Sequence, residues 1–343
     1  MKALVFHGPG KRAWEEKPKP TIKDSKDAII RMTKTTICGT DLHIMKGDVP
    51  EVVDGLIIGH EGVGIIEEVG QGVSNFKAGD KVLISCITSC GSCTSCRRGM
   101  YSHCENGGGW ILGHLIDGTQ AEYVRIPHAN TSLYHFPTGM DEDAIVMLSD
   151  ILPTGFECGV INGQIKPGDT VAIIGAGPIG LSTLLTAQFY SPSEIIMVDT
   201  DENRLKVAKT FGATRLVYKN AVDEIMKLTG GKGVDVAIEA VGMPATFDIC
   251  QSIIAPGGHI ANIGVHGKSV DLHLEKLWAM NITITTRLVD TVTTPMLLKT
   301  VTSGKLQPEK LITHRFKLSD IMKAYDTFGN AAAERALKVI MTN

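Results

Sequence analysis

The chain has 343 residues, 43% of them hydrophobic, with 34 basic against 37 acidic residues and a formal net charge of −3. This length suits about two domains, and the apolar fraction is sufficient for two cores. The near-balanced charge excludes the basic footprint of a nucleic-acid-binding protein. The most apolar stretch, residues 171–187, holds three glycines and a proline, so it predicts a strand and a helix rather than a membrane span. The N-terminus lacks an apolar secretion signal, which makes the cytoplasm the expected location.

The first 150 residues have a sequence pattern typical of antiparallel β structure. Short β-type runs at 28–32, 62–69 and 81–85 alternate with Gly, Pro and Asp turns. This spacing predicts a barrel-like arrangement of strands.

Two short motifs beside these runs carry metal-binding side chains. The first contains Cys38, Thr40, Asp41 and His43, and the second is Gly-His-Glu-Gly at residues 59–62. A single cysteine of this kind is more often a small core residue, and a single histidine next to a glutamate more often lies at the surface. Their grouping next to glycines, where the backbone turns or approaches closely, indicates a site.

A fifteen-residue segment further on holds half of the eight cysteines. Thiolates two residues apart can surround one ion without a long closing loop, and four of them complete the closed shell that zinc prefers in a structural role. We therefore predict a structural zinc lobe over residues 88–106, held by Cys90, Cys93, Cys96 and Cys104.

Two other readings of the four cysteines stay open. An iron–sulfur cluster of the compact bacterial type ends in a short spacer and a proline, whereas seven residues separate Cys96 from Cys104 and Glu105 follows. A disulfide framework would need an oxidising compartment, for which the N-terminus gives no signal.

The second half of the chain alternates strands and helices, which predicts a parallel sheet. The last fifty residues, with a predicted helix at 295–303, depart from this pattern. The predicted strands are 170–174, 194–198, 234–239 and 259–263, and the predicted helices between the first of them are 179–189 and 203–211.

The first of these strands leads into a dinucleotide-binding fingerprint. Gly175 suits a tight turn, Gly177 close approach of a pyrophosphate, and Gly180 close packing of the helix on the strand. Pro178 suits the first helical turn, and Ile179 follows it at the helix N-terminus, which favours phosphate.

Asp199 ends the second strand, nineteen residues after Gly180. A carboxylate at this point can bind both ribose hydroxyls and repel a 2′-phosphate. This predicts NAD rather than NADP. Arg204 complicates the prediction because an arginine could bind that phosphate or close over the ribose, and Asp199 could also be an ordinary strand-end carboxylate.

Together, the motifs resemble those of the zinc-dependent, medium-chain alcohol dehydrogenase family over essentially the whole chain. Cys-x-Thr-Asp-x-His, Gly-His-Glu-Gly-x-Gly, the four-cysteine lobe and Gly-x-Gly-x-x-Gly occur in the family's order. The resemblance implies an α/β protein, with a GroES-like barrel-type catalytic domain at 1–151 and 293–343 and an inserted Rossmann NAD-binding domain, a doubly wound parallel sheet, at 152–292.

The resemblance also implies a catalytic zinc on Cys38, His60 and a third ligand. The matching motif offers Asp150 there, as in bacterial secondary-alcohol dehydrogenases, and Cys158 comes eight residues too late. Glu61 resembles the family's exchangeable ligand, and Asp41 could orient His60. Two zinc ions per chain are expected, and Cys86 and Cys250 have no assigned role.

In the family's chemistry, hydride passes from a zinc-bound alkoxide to the nicotinamide. The resemblance gives the proton relay to Thr40, the cofactor ribose and His43, and the carboxamide contacts to Val241, Ile263 and Val265. It matches Lys338 to a basic residue that approaches the pyrophosphate; a solvated surface lysine is the alternative.

Trp110 and Leu112 lie in a segment that resembles the loop lining the substrate pocket in the secondary-alcohol enzymes. An apolar pocket of this kind would favour secondary, alkyl or aryl alcohols and their ketones or aldehydes. Threonine- or sorbitol-type oxidation and a non-catalytic cofactor-binding role stay open as alternatives. By resemblance, a homotetramer is expected, with a dimer as the other option.

Overall fold

The computed structural model describes all residues from Met1 to Asn343. Its fifteen strands are Lys2–Phe6 (β1), Arg12–Glu16 (β2), Ala28–Ile37 (β3), Gly62–Val69 (β4), Lys81–Ile84 (β5), Tyr123–Ile126 (β6), Leu133–His135 (β7), Thr170–Ile174 (β8), Glu194–Val198 (β9), Arg215–Val217 (β10), Val234–Glu239 (β11), Ile254–Asn262 (β12), Thr283–Thr286 (β13), Ile312–Lys317 (β14) and Lys338–Thr342 (β15).

Thirteen α-helices accompany them, several of a single turn: Gly39–Lys46 (α1), Thr94–Arg97 (α2), Ala129–Ser132 (α3), Glu142–Val146 (α4), Ile151–Thr154 (α5), Pro178–Ala187 (α6), Glu202–Thr210 (α7), Ala221–Leu228 (α8), Pro244–Ile253 (α9), Leu274–Leu277 (α10), Thr294–Thr302 (α11), Ile321–Gly329 (α12) and Ala331–Glu334 (α13). Gly155–Ile161 forms a π-helix, and short 3₁₀ turns occupy Tyr101–His103, Gln188–Tyr190, Pro308–Leu311 and Leu318–Asp320. No helix has the length and apolarity that crossing a membrane requires.

Two compact units divide the chain. The first combines Met1–Asp150 with Asp290–Asn343, and the second is Ile151–Val289. The sequence analysis expected these divisions after residues 151 and 292.

The first unit is built on a seven-stranded sheet and a two-stranded sheet of β1 and β2. The large sheet runs in the order β14-β15-β3-β4-β5-β7, and β6 also pairs with β3. All of its pairings are antiparallel except that of β14 with β15. The C-terminal strand β15 pairs with residues 34–37 of β3, so β3 extends five residues beyond the predicted 28–32.

The second unit contains a six-stranded parallel sheet in the order β10-β9-β8-β11-β12-β13. The predicted strands β8, β9 and β11 are confirmed at both ends. The fourth strand begins five residues before the predicted start at 259, and its pairing with β11 shifts register between Val234 and Val236. The Pro-Gly-Gly segment at 256–258 lies within this irregular stretch of the strand.

Candidate functional site

Cys38, His60, Glu61 and Asp150 form a buried group in the first unit. Each offers one ligand atom, and these four atoms lie within 4.8 Å of one another. One Asp150 oxygen, Oδ2, is 3.5 Å from Cys38 Sγ and 3.2 Å from His60 Nε2. The structure thus brings together all four residues that the family resemblance implied for a catalytic zinc.

Local structure explains how residues distant in sequence meet here. Cys38 lies at the N-terminus of α1, where its backbone N–H donates to Asp41 Oδ2 at 2.9 Å. Asp150 follows Ser149, whose buried hydroxyl accepts from the Gly62 N–H at 3.0 Å. This contact fixes Asp150 beside the His60-Glu61 segment.

Asp41 lies behind His60, as expected. Its Oδ1 is 3.6 Å from His60 Nδ1, while His60 Nε2 faces Asp150. Because a metal-binding imidazole uses one nitrogen for the ion and the other for an orienting partner, this geometry suits a ligand histidine.

Lys338 has a different partner from the expected one. Its side chain is 1% exposed, and Nζ donates to Glu61 Oε2 at 2.5 Å. The register of β15 causes this, since Val339 pairs with Ile37 and Lys338 therefore falls beside Cys38. The ammonium is buried and paired with a member of the candidate metal group, so Lys338 is not a surface lysine, and its pyrophosphate contact stays a prediction.

The electrostatics of this cluster fit a bound cation. Burial raises the pKa of the Cys38, Asp41 and Glu61 side chains. Burial alone would lower the pKa of His60, yet hydrogen bonds to Asp150 and Cys38 raise it well above its usual value. Glu61 Oε1 is buried without a hydrogen-bond partner. A thiolate, an imidazole and carboxylates with an unpaired oxygen form a donor set that zinc accepts.

The two residues predicted for the proton relay lie on α1. Thr40 Oγ1 is 3.9 Å from Cys38 Sγ, next to the cluster. His43 is half-buried, and its Nδ1 lies 2.8 Å from Asp48 Oδ2, a partner that the sequence analysis missed. Residues three apart share a face of a helix, so Thr40 and His43 are neighbours on α1.

The four cysteines of the lobe form the second group, with their sulfur atoms within 4.8 Å of one another. Backbone N–H groups point at the sulfurs: Cys90 Sγ accepts from the Ser92 and Cys93 N–H at 3.4 and 3.3 Å. The N–H groups of Glu105 and Cys96 hold the pKa of Cys93 below its usual value. Donors of this kind stabilise thiolates, which is the form that binds metal.

The glycine fingerprint lies where β8 meets α6. Gly175 has a φ of +111°, and a Cβ on Gly180 would lie 1.8 Å from the Gly175 carbonyl oxygen, so both positions require glycine. A Cβ on Gly177 would meet nothing closer than Arg204, at 3.9 Å. Pro178 begins α6 and Ile179 follows it. This open space at a helix N-terminus fits a pyrophosphate.

Asp199 directly follows β9 and contacts the same loop. Its Oδ2 accepts from the Ala176 N–H at 2.7 Å, and its Oδ1 from the Asp201 N–H at 2.8 Å. Arg204 lies in α7, with Nε 3.9 Å from Asp201 Oδ2. The carboxylate is thus fixed beside the fingerprint.

The three predicted carboxamide residues lie just beyond two neighbouring strands. Val241 follows β11, and Ile263 and Val265 follow β12. Val241 and Val265 expose 41% and 53% of their surface. Glu239, fully buried, accepts the Val241 N–H at 2.9 Å and so helps to fix this loop.

The predicted pocket residues have different environments. Trp110 is half-buried and stacks on His114, with ring centroids 4.1 Å apart. Leu112 is 0% exposed and packs in the core with Ile30 and Val124. The prediction of Leu112 as a pocket residue is therefore wrong, because its side chain is enclosed by the strands of the first unit.

Two further residues beside the Cys38 group were not predicted from the sequence. The thiol of Cys86 donates to Asp150 Oδ1 at 3.6 Å, and burial, then the charge of Asp150, raise its pKa well above the usual value. Gln120 donates to Asp41 Oδ2 at 3.0 Å. Neither belongs to a motif, so no local signal marks them. Cys158 and Cys250 are buried in the second unit and belong to neither candidate metal group.

Comparisons with known proteins agree with this geometry. Residues 24–138 match the family model described as "Alcohol dehydrogenase GroES-like domain", and residues 178–302 match "Zinc-binding dehydrogenase". The chain is 38% identical to an alcohol dehydrogenase of Cupriavidus necator, over 96% of this chain and 95% of that protein. It is 35% identical to an NADP-dependent isopropanol dehydrogenase of Thermoanaerobacter brockii, over 95% of each chain.

A solved structure is similar over the whole length. It is the apo form of zinc-dependent alcohol dehydrogenase 2 from Streptococcus pneumoniae, with 58% identity, a TM-score of 0.96, and coverage of 100% of this chain and 98% of that one. These matches confirm the predicted fold class, a GroES-like catalytic domain with a Rossmann domain. They also favour alcohol oxidation over the polyol, amino-acid and non-catalytic alternatives. The chain belongs to the zinc-dependent, medium-chain alcohol dehydrogenase family, whose members interconvert alcohols and carbonyl compounds, and it is an enzyme of that kind.

Proposed function

We propose that the chain is an NAD-dependent alcohol dehydrogenase with two zinc ions per chain. Cys38, His60 and Asp150 hold the catalytic ion with Glu61 as an exchangeable ligand, and the four cysteines of the lobe hold the structural ion. The observation that carries the proposal is the convergence of four buried ligand atoms within 4.8 Å.

When bound, the catalytic zinc supplies a Lewis acid that lowers the pKa of an alcohol hydroxyl and polarises a carbonyl. The chain's own residues then handle the proton. The Thr40 hydroxyl, beside Cys38, accepts the proton from the substrate hydroxyl and gives up its own proton toward His43. His43 passes it to solvent, since its ring is half-exposed and paired with Asp48.

The cofactor assignment depends on Asp199. A carboxylate fixed by two backbone N–H groups beside the fingerprint favours ribose hydroxyls and repels a 2′-phosphate. Arg204 then covers the ribose. The relative from T. brockii is named for NADP dependence, so the preference needs a direct test.

The substrate proposed is an apolar secondary, alkyl or aryl alcohol. The half-buried Trp110 ring supports an apolar pocket, and the T. brockii relative is named for isopropanol.

The functional test is formation of reduced nicotinamide, followed spectroscopically, across secondary alcohols, primary alcohols, threonine and sorbitol. Secondary or aryl alcohols should give the highest kcat/KM. A clear preference for threonine or sorbitol would contradict the proposed substrate class, and no turnover with any alcohol would contradict the reaction itself.

The cofactor test compares NAD with NADP in the wild type and in Asp199→Gly. The wild type should prefer NAD, and the variant should lose at least about tenfold of that preference, because one charge–phosphate repulsion is worth about 1.4 kcal/mol or more. Asp201→Asn, at the start of α7, is the matched control and should keep the preference. An unchanged preference in Asp199→Gly would contradict the cofactor assignment.

We propose a homotetramer, with a dimer as the other option, on family resemblance alone. The mass in solution by light scattering tests it.

A further inference from the structure

A buried amide lies behind the catalytic cluster. Gln120 is 0% exposed, and its Nε2 donates to Asp41 Oδ2 and to the Thr36 carbonyl, each at 3.0 Å. Its Oε1 accepts from the Tyr325 hydroxyl at 2.8 Å. Tyr325 is itself 2% exposed, so all polar atoms of the Gln120 side chain are satisfied inside the protein.

These partners fix the orientation of the amide. Asp41 and the Thr36 carbonyl can only accept at the contacts they make, so the nitrogen of Gln120 must face them. A flipped amide would place oxygen against oxygen on that side. Gln120 is therefore held in one orientation, which is the condition for positioning another group.

The backbone around His60 is adapted to this side chain. Gly59, next to His60, has a φ of +94°, and a Cβ there would lie 2.5 Å from Gln120 Cγ. The Gln120 N–H also donates to the Ile58 carbonyl at 3.1 Å. Gln120 thus packs directly against the segment that carries His60.

Asp41 links Gln120 to two proposed zinc ligands. The Oδ2 atom that accepts from Gln120 also accepts the Cys38 N–H at 2.9 Å. The other oxygen lies 3.6 Å from His60 Nδ1. One carboxylate therefore touches the backbone of one ligand and faces the ring of the other, and Gln120 is the side chain that holds it.

We propose that Gln120, supported by Tyr325, is a positioning residue of the catalytic zinc site, acting through Asp41. This inference rests on the proposed assignment of Cys38 and His60 as ligands. Removing an outer partner of a metal ligand typically weakens metal binding 10–100-fold. Gln120 should therefore matter to retention of one zinc ion and not of the other.

The test measures zinc release from the purified holoenzyme to an excess of a chromogenic chelator. Gln120→Met keeps the length of the side chain and removes its hydrogen bonds. One of the two ions should bind about 10–100-fold more weakly than in the wild type, and the chelator should remove it correspondingly faster. The ion of the four-cysteine lobe should be retained as before. Cobalt substituted for the released ion should show an altered absorption spectrum.

Gln251→Met is the matched control. Gln251, in the second unit, is 6% exposed, donates to the Asp271 carbonyl at 3.0 Å and accepts the His273 N–H at 2.8 Å. Both variants remove a buried amide and its hydrogen bonds, so both should lose similar thermal stability. Only Gln120→Met should lose zinc. Equal zinc retention in the two variants would overturn the proposal.

Tyr325→Phe provides a milder second variant in case Gln120→Met does not fold. It leaves Gln120 Oε1 unpaired and should speed release of the same ion several-fold; unchanged release would overturn the proposal. Asp150→Ala separates the two claims. If that variant keeps both ions, the ligand assignment itself fails, whereas its loss of one ion together with normal retention in Gln120→Met rejects only the role of Gln120.

Discussion

Lys338 and Glu61 form a buried ion pair. Both side chains are 1% exposed, and their charged atoms are 2.5 Å apart. Burial alone would lower the pKa of Lys338, but the charges of Glu61, Cys38 and Asp150 raise it, so the ammonium stays charged. Removing one member of such a pair leaves the other charge buried without compensation.

Lys338→Met should therefore destabilise the protein by about 3–5 kcal/mol in denaturant unfolding. The double variant Lys338→Met/Glu61→Gln should recover part of that loss, because it removes the buried charge. Lys19→Met, at the exposed pair with Glu67, is the control and should change stability little. A Lys338→Met variant as stable as the wild type would contradict the buried pair.

The residues closest to the proposed chemistry were predictable because short motifs bring them together. Cys38, His60 and Asp150 each belong to a recognisable pattern, and the structure places their ligand atoms together. Gln120 and Lys338 are different, since their contacts with Asp41 and Glu61 span 79 and 277 residues of sequence. Local patterns carry no information about such partners.

At the scale of elements, α4 connects two strands of the first unit. Asp143 on this helix binds Lys34 of β3 and accepts from Arg315 of β14, with Nη2 at 2.8 Å. Burial alone would raise the pKa of Asp143, but hydrogen bonds from the two cations lower it below 3.8. A lowered pKa means that the ionised pair contributes stability above pH 3.8, and that this contribution is lost as the pH falls through the folded-state pKa.

Asp143→Asn should lose about 1–2 kcal/mol of unfolding free energy near neutral pH. The difference from wild type should shrink as the pH falls below about 3.8. Asp141→Asn is the control, since it removes an exposed charge at the start of the same helix. Unfolding curves at several pH values test this, and a difference that does not depend on pH would contradict the ion pairing.

Elements with a strong local pattern were predicted well. The strands β8 and β9 are apolar after their first residue, β11 is mostly apolar, and α6, α7 and α11 lie within two residues of their predicted ends. The extension of β3 was not predicted, because its Thr-rich end at 33–37 becomes a strand through pairing with the C-terminal β15. A pairing partner that distant cannot be read from a local window.

At the scale of the whole molecule, one unit carries two groups of candidate metal ligands and the other carries the dinucleotide fingerprint. The two groups differ in their ligand atoms, and this difference predicts different roles for the two zinc ions. Four thiolates form a closed shell with no room for substrate, whereas the Cys38 group combines a single cysteine with an imidazole and two carboxyl groups. One zinc should therefore stabilise the fold, and the other should take part in the reaction.

The most direct test of this account measures zinc per chain and the rate of alcohol oxidation in the wild type, Asp150→Ala and Cys96→Ser. Cys250→Ala, which removes a buried thiol that belongs to neither candidate metal group, is the control and should keep both ions. Asp150→Ala should lose one ion and lower kcat by about 1000-fold or more, equivalent to about 4 kcal/mol of transition-state stabilisation. Cys96→Ser should lose the other ion and unfold at a lower temperature, while its folded fraction still oxidises alcohol. An Asp150→Ala variant that keeps both zinc ions and the wild-type rate would contradict the account.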